Sequence, residues 1–512
     1  MRNILLALLL GAFTWSANAQ HALQGTITDE ADQPLPWVAV GIGDLGYGTT
    51  TDERGAFRLD GLRPGPVRLR AVLVGHAAID TLVDPATTGM LSLRMPQSTH
   101  QIRAVEVTAL RAGDGSPFAT SKVPRERIER INTAVDIPVL LDQQPSVVTT
   151  TDAGTGIGYT GLRIRGSDAT RINVTVNGVP INDAESQAVF WVNMPDLASS
   201  AEDIEVQRGA GSSTNGPGAF GASINMRTSK VAEKAFGELG AVGGSYNTQR
   251  YTARFGTGLL PAKEGGARFS LDGRLSTVTS DGYIDRATAD LKSYFVQGAW
   301  VGRTRSLRAI TFGGRERTYQ AWNGVPREVL DTNRTWNEYT YEDQVDDYRQ
   351  THYQLLFDQR IGNDATLNIT AFRVLGNGFF EQYREEDDMA FYGITPAVIN
   401  GDTLSTTDLV RRRWLDNTLD GVNASFERRI GTHRWVVGGS YSVYNGDHFG
   451  EVIWARYSGS RDKDDRYYAN DSRKTDANAY GKLTYALTPR IDLFGDVQVR
   501  NVTHDFLGYD GD

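Results

Sequence analysis

From Phe236 onward the chain repeats one pattern of apolar and polar positions. Phe269, Leu271, Gly273 and Leu275 alternate with Arg268, Ser270, Asp272, Arg274 and Ser276. Leu367, Ile369 and Ala371 alternate with Thr366, Asn368 and Thr370, and Trp435, Val437, Gly439, Tyr441 and Val443 alternate with Val436, Gly438, Ser440 and Ser442. Leu493, Gly495, Val497 and Val499 alternate with Asp492, Asp496, Gln498 and Arg500, with Phe494 the exception on the polar side. A period of two belongs to extended chain, whose successive side chains face opposite ways. Its recurrence predicts roughly eleven strands. Tight turns are predicted at Arg303-Thr304-Arg305, Gly362-Asn363-Asp364, Gly431-Thr432 and Thr488-Pro489-Arg490, and long polar connections at 280–291, 319–347, 377–411 and 445–475. Short and long connections alternate. A soluble sandwich gives no reason for that, whereas a membrane-spanning barrel does, with short turns at one rim and long loops at the other. One face of each strand is then expected to meet lipid. Tyr294, Phe295, Trp300, Trp435 and Tyr485 are candidates for aromatic girdles, and Trp322, Trp336, Tyr339, Tyr341, Trp454, Tyr457, Tyr467 and Tyr468 place aromatic side chains in the long loops.

A different texture runs from Asp136 to Thr228. Gly161-Leu162-Arg163-Ile164-Arg165-Gly166, Arg171-Ile172-Asn173-Val174-Thr175-Val176-Asn177-Gly178 and Asp203-Ile204-Glu205-Val206-Gln207-Arg208-Gly209 are short β-branched runs between Gly- and Asn-rich breaks. They predict a compact mixed sheet with tight turns. Asn177-Gly178 predicts a type I′ hairpin, because both central residues need positive φ. Asp136 opens a short helix that ends before Pro145. The run Gly216-Pro217-Gly218-Ala219-Phe220-Gly221 lacks the Lys-Ser/Thr ending of a phosphate loop, so its glycines are read as allowing close packing.

Ahead of this stretch, residues 22–97 carry alternating strands around Pro- and Gly-bounded turns, the spacing of a small sandwich. Residues 98–115 look like a linker. Inside it Ala104-Val105-Glu106-Val107-Thr108-Ala109 is an extended hexamer able to add to another protein's sheet; its alternative is the last strand of the sandwich. Arg2, the apolar run 4–10 and Ala17-Asn18-Ala19 read as an export signal cut before Gln20.

Composition narrows the function. A net charge of −9 over 512 residues argues against a nucleic-acid partner. With no cysteine there are no disulfides or thiolate metal sites. No two of the seven histidines have zinc-ligand spacing, and no hydrolase or kinase motif is present, so neither a metal, a cofactor nor an enzyme activity is expected. Mean hydropathy is negative and no apolar run approaches membrane-helix length past the leader, which excludes a helical membrane protein but not a barrel.

The stretch 136–228 resembles the plug domain of TonB-dependent outer-membrane receptors, and 22–97 is similar to the carboxypeptidase-regulatory-like domain that precedes some of them. The resemblance implies a mainly β chain: a signal peptide (1–19), an N-terminal β-sandwich (22–97), a linker with a TonB box (98–115), a mixed α/β plug (116–230) and an antiparallel transmembrane β-barrel (235–512). Receptors of this family close with about 22 strands, so about half a barrel is expected here and the chain is expected to be a fragment. It further implies TonB and its inner-membrane energising complex as partner through Ala104, Val105, Glu106, Val107, Thr108 and Ala109, outer-membrane lipid around the barrel, and the plug facing the periplasm. Arg163, Gly166, Asn177, Gly178, Asp183 and Gly209 carry the plug motif. A family latch of plug arginine against wall carboxylate makes Arg165 and Arg208 its candidates. The motifs Asn182-Asp183-Ala184-Glu185-Ser186 and Phe190-Trp191-Val192-Asn193-Met194-Pro195-Asp196 look most like those of iron-chelate receptors, so the expected cargo is a small metal chelate, a ferric siderophore first, then haem or cobalamin. An oligosaccharide importer of the same architecture, or a surface adhesion or assembly barrel, is the alternative.

Overall fold

The computed structural model describes residues 21–30, 32–42, 47–73, 76, 78–96, 117–212, 216, 218–228, 230–262, 266–459, 461–488 and 491–508. The leader 1–19, the hexamer 104–109, Pro217 and the turn residues 489–490 lie outside them. The chain divides into two compact units, 1–102 and 103–512.

The first unit is two small sheets around one core. Ala56–Leu62, His21–Thr28 and Leu91–Arg94 form one, and Tyr47–Thr50, Ala39–Ile42, Val67–Val72 and Ile79–Val83 the other, in those orders. Alternation decides what is inside: Leu23 and Ile27, Phe57 and Leu59, and Leu69 and Ala71 are buried together with Val38, Val40 and Met95. Burying one face of each strand against the opposite sheet is what holds a domain of this size together.

In the second unit, 117–230 forms a plug. Its five-stranded sheet runs Val179–Pro180, Ile172–Val176, Ala222–Arg227, Asp203–Arg208 and Ala119–Pro124. Only Ile172–Val176 and Ala222–Arg227 pair in parallel. All of Ile172–Val176 is buried, as expected of a central strand covered on both faces. Asn177 and Gly178 have φ of 55° and 82°, which makes the predicted turn between Ile172–Val176 and Val179–Pro180. The short helix predicted from Asp136 is Ile137–Leu140, with Pro138 in its first turn, where the missing N–H costs nothing. Gly221 packs against Ser167 so closely that a Cβ there would overlap it.

Around the plug wraps a single sheet of eleven strands. They are β1 (Phe236–Gly243), β2 (Gln249–Gly256), β3 (Arg268–Ser280), β4 (Ala289–Val301), β5 (Arg305–Tyr319), β6 (Val345–Ile361), β7 (Ala365–Asp388), β8 (Thr406–Ile430), β9 (His433–Ala455), β10 (Arg466–Thr488) and β11 (Ile491–Leu507). Each is antiparallel to the next, and β1 and β11 are the two ends of the sheet. The sheet is inside-out relative to a soluble protein. On β3, Ser270, Asp272, Arg274 and Ser276 are buried, while Phe269, Leu271 and Leu275 are 55 %, 44 % and 61 % exposed. Trp435, Val437 and Tyr441 of β9 point out in the same way. A polar interior and an apolar exterior are what a lipid-facing barrel wall requires.

Three expectations need correction. The strands run beyond the predicted connections, which shrink to 281–288, 320–344, 389–405 and 456–465. Beyond the lipid layer a strand need not be apolar on one side, so alternation fades while backbone pairing continues. Trp454, Tyr467 and Tyr468 are accordingly on strands rather than in loops. Phe295 is not a girdle residue: it faces inward and packs in the plug core with Phe312. Phe494 breaks the polar side of β11 because its ring meets plug residue Phe118 edge-on at 5.6 Å.

Candidate functional site

Among the described residues, a deeply buried cluster of charges at Asp196 fastens the plug to the wall. Asp196 caps the 3-10 turn Leu197–Ser200 in a left-handed conformation, φ 51°, which aspartate tolerates better than most residues. Its side chain is 1 % exposed and ion-pairs with Arg274 of β3 at 3.1 Å and with Arg250 of β2 at 3.2 Å. Ser276 and Ser199 donate hydroxyls to it at 2.7 and 2.6 Å. Arg274 also donates to Ser200 at 2.8 Å, and Arg250 to the Asn132 side chain at 2.7 Å, so both guanidinium groups are shared with plug hydroxyl and amide oxygens. Burial alone would raise the Asp196 carboxyl; the charges of Arg274 and then Arg250 override it and hold the carboxyl below the ordinary range.

This latch has its acid on the plug and its arginines on the wall, whereas a latch through Arg165 or Arg208 would bring the arginine from the plug. Arg165 is exposed with φ 52°, in the tight turn after Thr160–Ile164, and Arg208 donates to Ser121 within the plug at 2.9 Å. The wall makes room for the latch at Gly314 of β5, where a Cβ would overlap Pro195 and stand 3.1 Å from the Asn193 carbonyl oxygen. Gly314→Val should push Pro195 and Asp196 off the wall and lower plug stability by about 1–3 kcal/mol, read as faster hydrogen exchange of the 191–200 amides.

Away from the latch, plug turns meet β6 to β10 through polar contacts. Asn177 donates to Gln354 of β6 at 2.9 Å, and Asn423 of β8 donates to the Gly178 carbonyl at 2.7 Å. Glu185 accepts from Tyr444 at 2.8 Å and lies 2.7 Å from His448 Nε2, both on β9, and Lys474 of β10 donates to the Ala184 carbonyl. Partial burial pushes the Glu185 carboxyl up, but hydrogen bonds from His448, Ser472 and Tyr444 more than reverse this and bring it down to about 2. Asp183 spends its carboxylate on its own loop, accepting from the Ser186 N–H at 2.7 Å and the Glu185 N–H at 3.1 Å. Of the remaining motif residues, Arg163 is exposed on Thr160–Ile164, Gly166 has φ 77° in the turn that follows it, and Gly209, φ 91°, donates its N–H to the Gly221 carbonyl at 2.8 Å.

Between the plug and the rim that carries the long connections lies a cavity of about 530 Å³. Tyr159, Asn182, Asp183 and Phe190 line it from the plug, and Tyr348, Phe380, Arg413, Tyr444 and Tyr468 from the wall. Trp322, from the connection 320–344, closes over it, edge-on to Tyr159 at 6.2 Å and to Phe380 at 5.6 Å. The Arg413 guanidinium lies over Phe380 and Tyr468, 5.6 and 5.4 Å from their centroids. A concave lining in which aromatic rings are interspersed with polar and charged side chains suits a small solute. Of the aromatics singled out in the sequence, Trp322 and Tyr468 reach this cavity, whereas Tyr467 packs with Phe391 and Tyr392 in a cluster of its own. Tyr159, Phe380, Arg413 and the latch residue Arg250 were not singled out, and Asp196 and Arg274 were named only as members of the 190–196 motif and of an alternating run. Their partners lie far off in the chain, and alternation marks them as inward without marking what they meet.

Residues 113–223 match the TonB-dependent receptor plug domain, and residues 22–96 the carboxypeptidase regulatory-like domain. Over 158 residues the chain is 27 % identical to a probable TonB-dependent siderophore receptor, PirA, of Acinetobacter baumannii, covering 29 % of this chain and 21 % of that protein. The fold is similar to the ferripyoverdine receptor of the Pseudomonas aeruginosa outer membrane, solved with ferripyoverdine bound: TM-score 0.58, 14 % identity, 85 % of this chain and 61 % of that one. It is also similar to the receptor in the FpvAI–pyocin S2 complex, with TM-score 0.60, 14 % identity, 77 % of this chain and 54 % of the other. The chain thus spans a fifth to three fifths of the length of these relatives.

Proposed function

From a chain that carries the plug and part of the barrel of a TonB-dependent receptor, behind a carboxypeptidase regulatory-like domain, we propose active import of a scarce small ligand across the outer membrane. Ligand enters from the long-loop rim and settles in the aromatic cavity against the plug. The N-terminal domain and the plug face the periplasm, where TonB grips 104–109 and pulls. A plug is needed because a barrel of this width would otherwise leak. The observation that carries the reading is the cavity itself, bounded on one side by plug residues such as Tyr159 and Asn182, so that occupancy bears directly on the plug. A ferric siderophore is the first choice of cargo, ahead of haem or cobalamin; the likeness to a probable siderophore receptor over 158 residues supports it. Arg165 and Arg208 remain candidates for a plug–wall latch, each to be paired with a carboxylate of the barrel wall.

Deletion of 104–109 tests the reading in cells. Surface binding of a radio-iron siderophore should persist while uptake falls to background. Import that survives the deletion would end it, and binding without uptake in either form would favour an adhesion role.

A further inference from the structure

Two carboxyl groups stand side by side on the inner wall of the cavity. Glu316 of β5 is paired across the ladder with Tyr348, and Asp346 of β6 with Thr318, so the two acids are diagonal neighbours on one face. Both line the cavity, 1 % and 5 % exposed. Among the described residues neither has an ion-pair partner. Glu316 accepts from Thr318 at 2.8 Å, Asp346 meets the hydroxyl of plug residue Tyr159, and Asp346 Oδ2 has no hydrogen-bond partner. His352, 1 % exposed and stacked on Phe312 at 4.4 Å, lines the same cavity with both ring nitrogens unpartnered.

Arg413 lines the same cavity but is set apart from this pair. Asp346, Phe380 and Arg413 are successive members of one rung across β6, β7 and β8, so the Phe380 ring stands between carboxylate and guanidinium. Arg413 is itself occupied over two rings and donates to the Tyr468 hydroxyl at 3.2 Å. A buried carboxyl without a counter-charge is costly to ionise, and an incoming cation removes that cost. Aromatic rings beside carboxylates are the surroundings in which organic cations are recognised.

We propose that the ligand carries a protonated amine or another compact organic cation, which seats against Glu316 and Asp346 among the rings of Tyr159, Trp322 and Phe380. This rests on the reading of the cavity as the ligand site. It narrows the cargo to solutes with a cationic arm and sets purely anionic chelates aside.

The test uses the full chain in detergent and three probes that share one ring and differ in charge: benzylammonium, benzyl alcohol and benzoate. Benzylammonium should bind at least about tenfold more tightly than benzoate, and the preference should vanish in the double variant E316Q/D346N. Equal affinity for the three, tighter binding of benzoate, or saturation by none would overturn the assignment. If the double variant does not fold, the charge preference of the unaltered chain decides alone. Uptake that depends on 104–109 reports on the import reading separately, so either can fail without the other.

Discussion

Asp196→Ala should loosen the plug by about 3–5 kcal/mol, the penalty for removing one partner of a buried ion pair. The substitution leaves Arg274, whose side chain is 3 % exposed, without its anion, and removes the acceptor of Ser276 and Ser199. Hydrogen exchange across 191–208 should accelerate by orders of magnitude, while the β7–β10 amides, remote from the latch, stay protected. Uniform acceleration across the wall, or none anywhere, would show that Asp196 is not what fastens the plug. Adding Arg274→Met to Asp196→Ala should recover part of the loss, because an apolar replacement of both partners leaves no stranded charge. The pH dependence has a definite sign. The folded carboxyl lies below its ordinary value, so its contribution is present above the unfolded pKa of about 3.9 and disappears as pH falls through the folded value.

Asp136→Asn should act in the opposite sense. Asp136 is buried at the start of Ile137–Leu140 and accepts from the Thr160 hydroxyl at 3.0 Å. Burial pushes its carboxyl from 3.8 up to about 7. Between those values the folded state holds a proton that the unfolded state has lost, so plug stability falls as pH rises across this window and stays low above it. Three pKa units correspond to about 4 kcal/mol at full effect. The amide keeps the acceptor for Thr160 and removes the charge. The variant should therefore match the parent near pH 4 and exceed it at pH 8, in protection of the 136–160 amides. A variant no more stable than the parent at pH 8 would mean that Asp136 is ionised without cost.

Much of this architecture was legible in the chain. Asn177-Gly178 announced its hairpin because it is one of the few residue pairs that accept two positive φ values. The inside-out wall was written in Ser270, Asp272, Arg274 and Ser276 against Phe269, Leu271 and Leu275, because a period of two survives whichever side faces lipid. The latch was not legible. Asp196 closes the motif 190–196, but nothing local says what it meets, and its partners Arg250 and Arg274 are separated from it by 54 and 78 positions. The cavity was half legible. Trp322 and Tyr468 stood out as aromatics, but Glu316 and Asp346 carry no local mark; they matter only because registration of β5 against β6 places them together.

The edge strand Ala119–Pro124 lies close behind the segment that TonB is proposed to seize. Ala119 pairs with Arg208 and Pro124 with Asp203, and the Asp203 end is the one moored, about seven residues earlier in the chain, at Asp196. Tension entering at residue 119 would thus strain the two strands at opposite ends, in shear, spreading the force over every rung instead of peeling them singly. The plug would resist up to a threshold and then yield at once, as befits a valve that must stay shut until it is deliberately drawn.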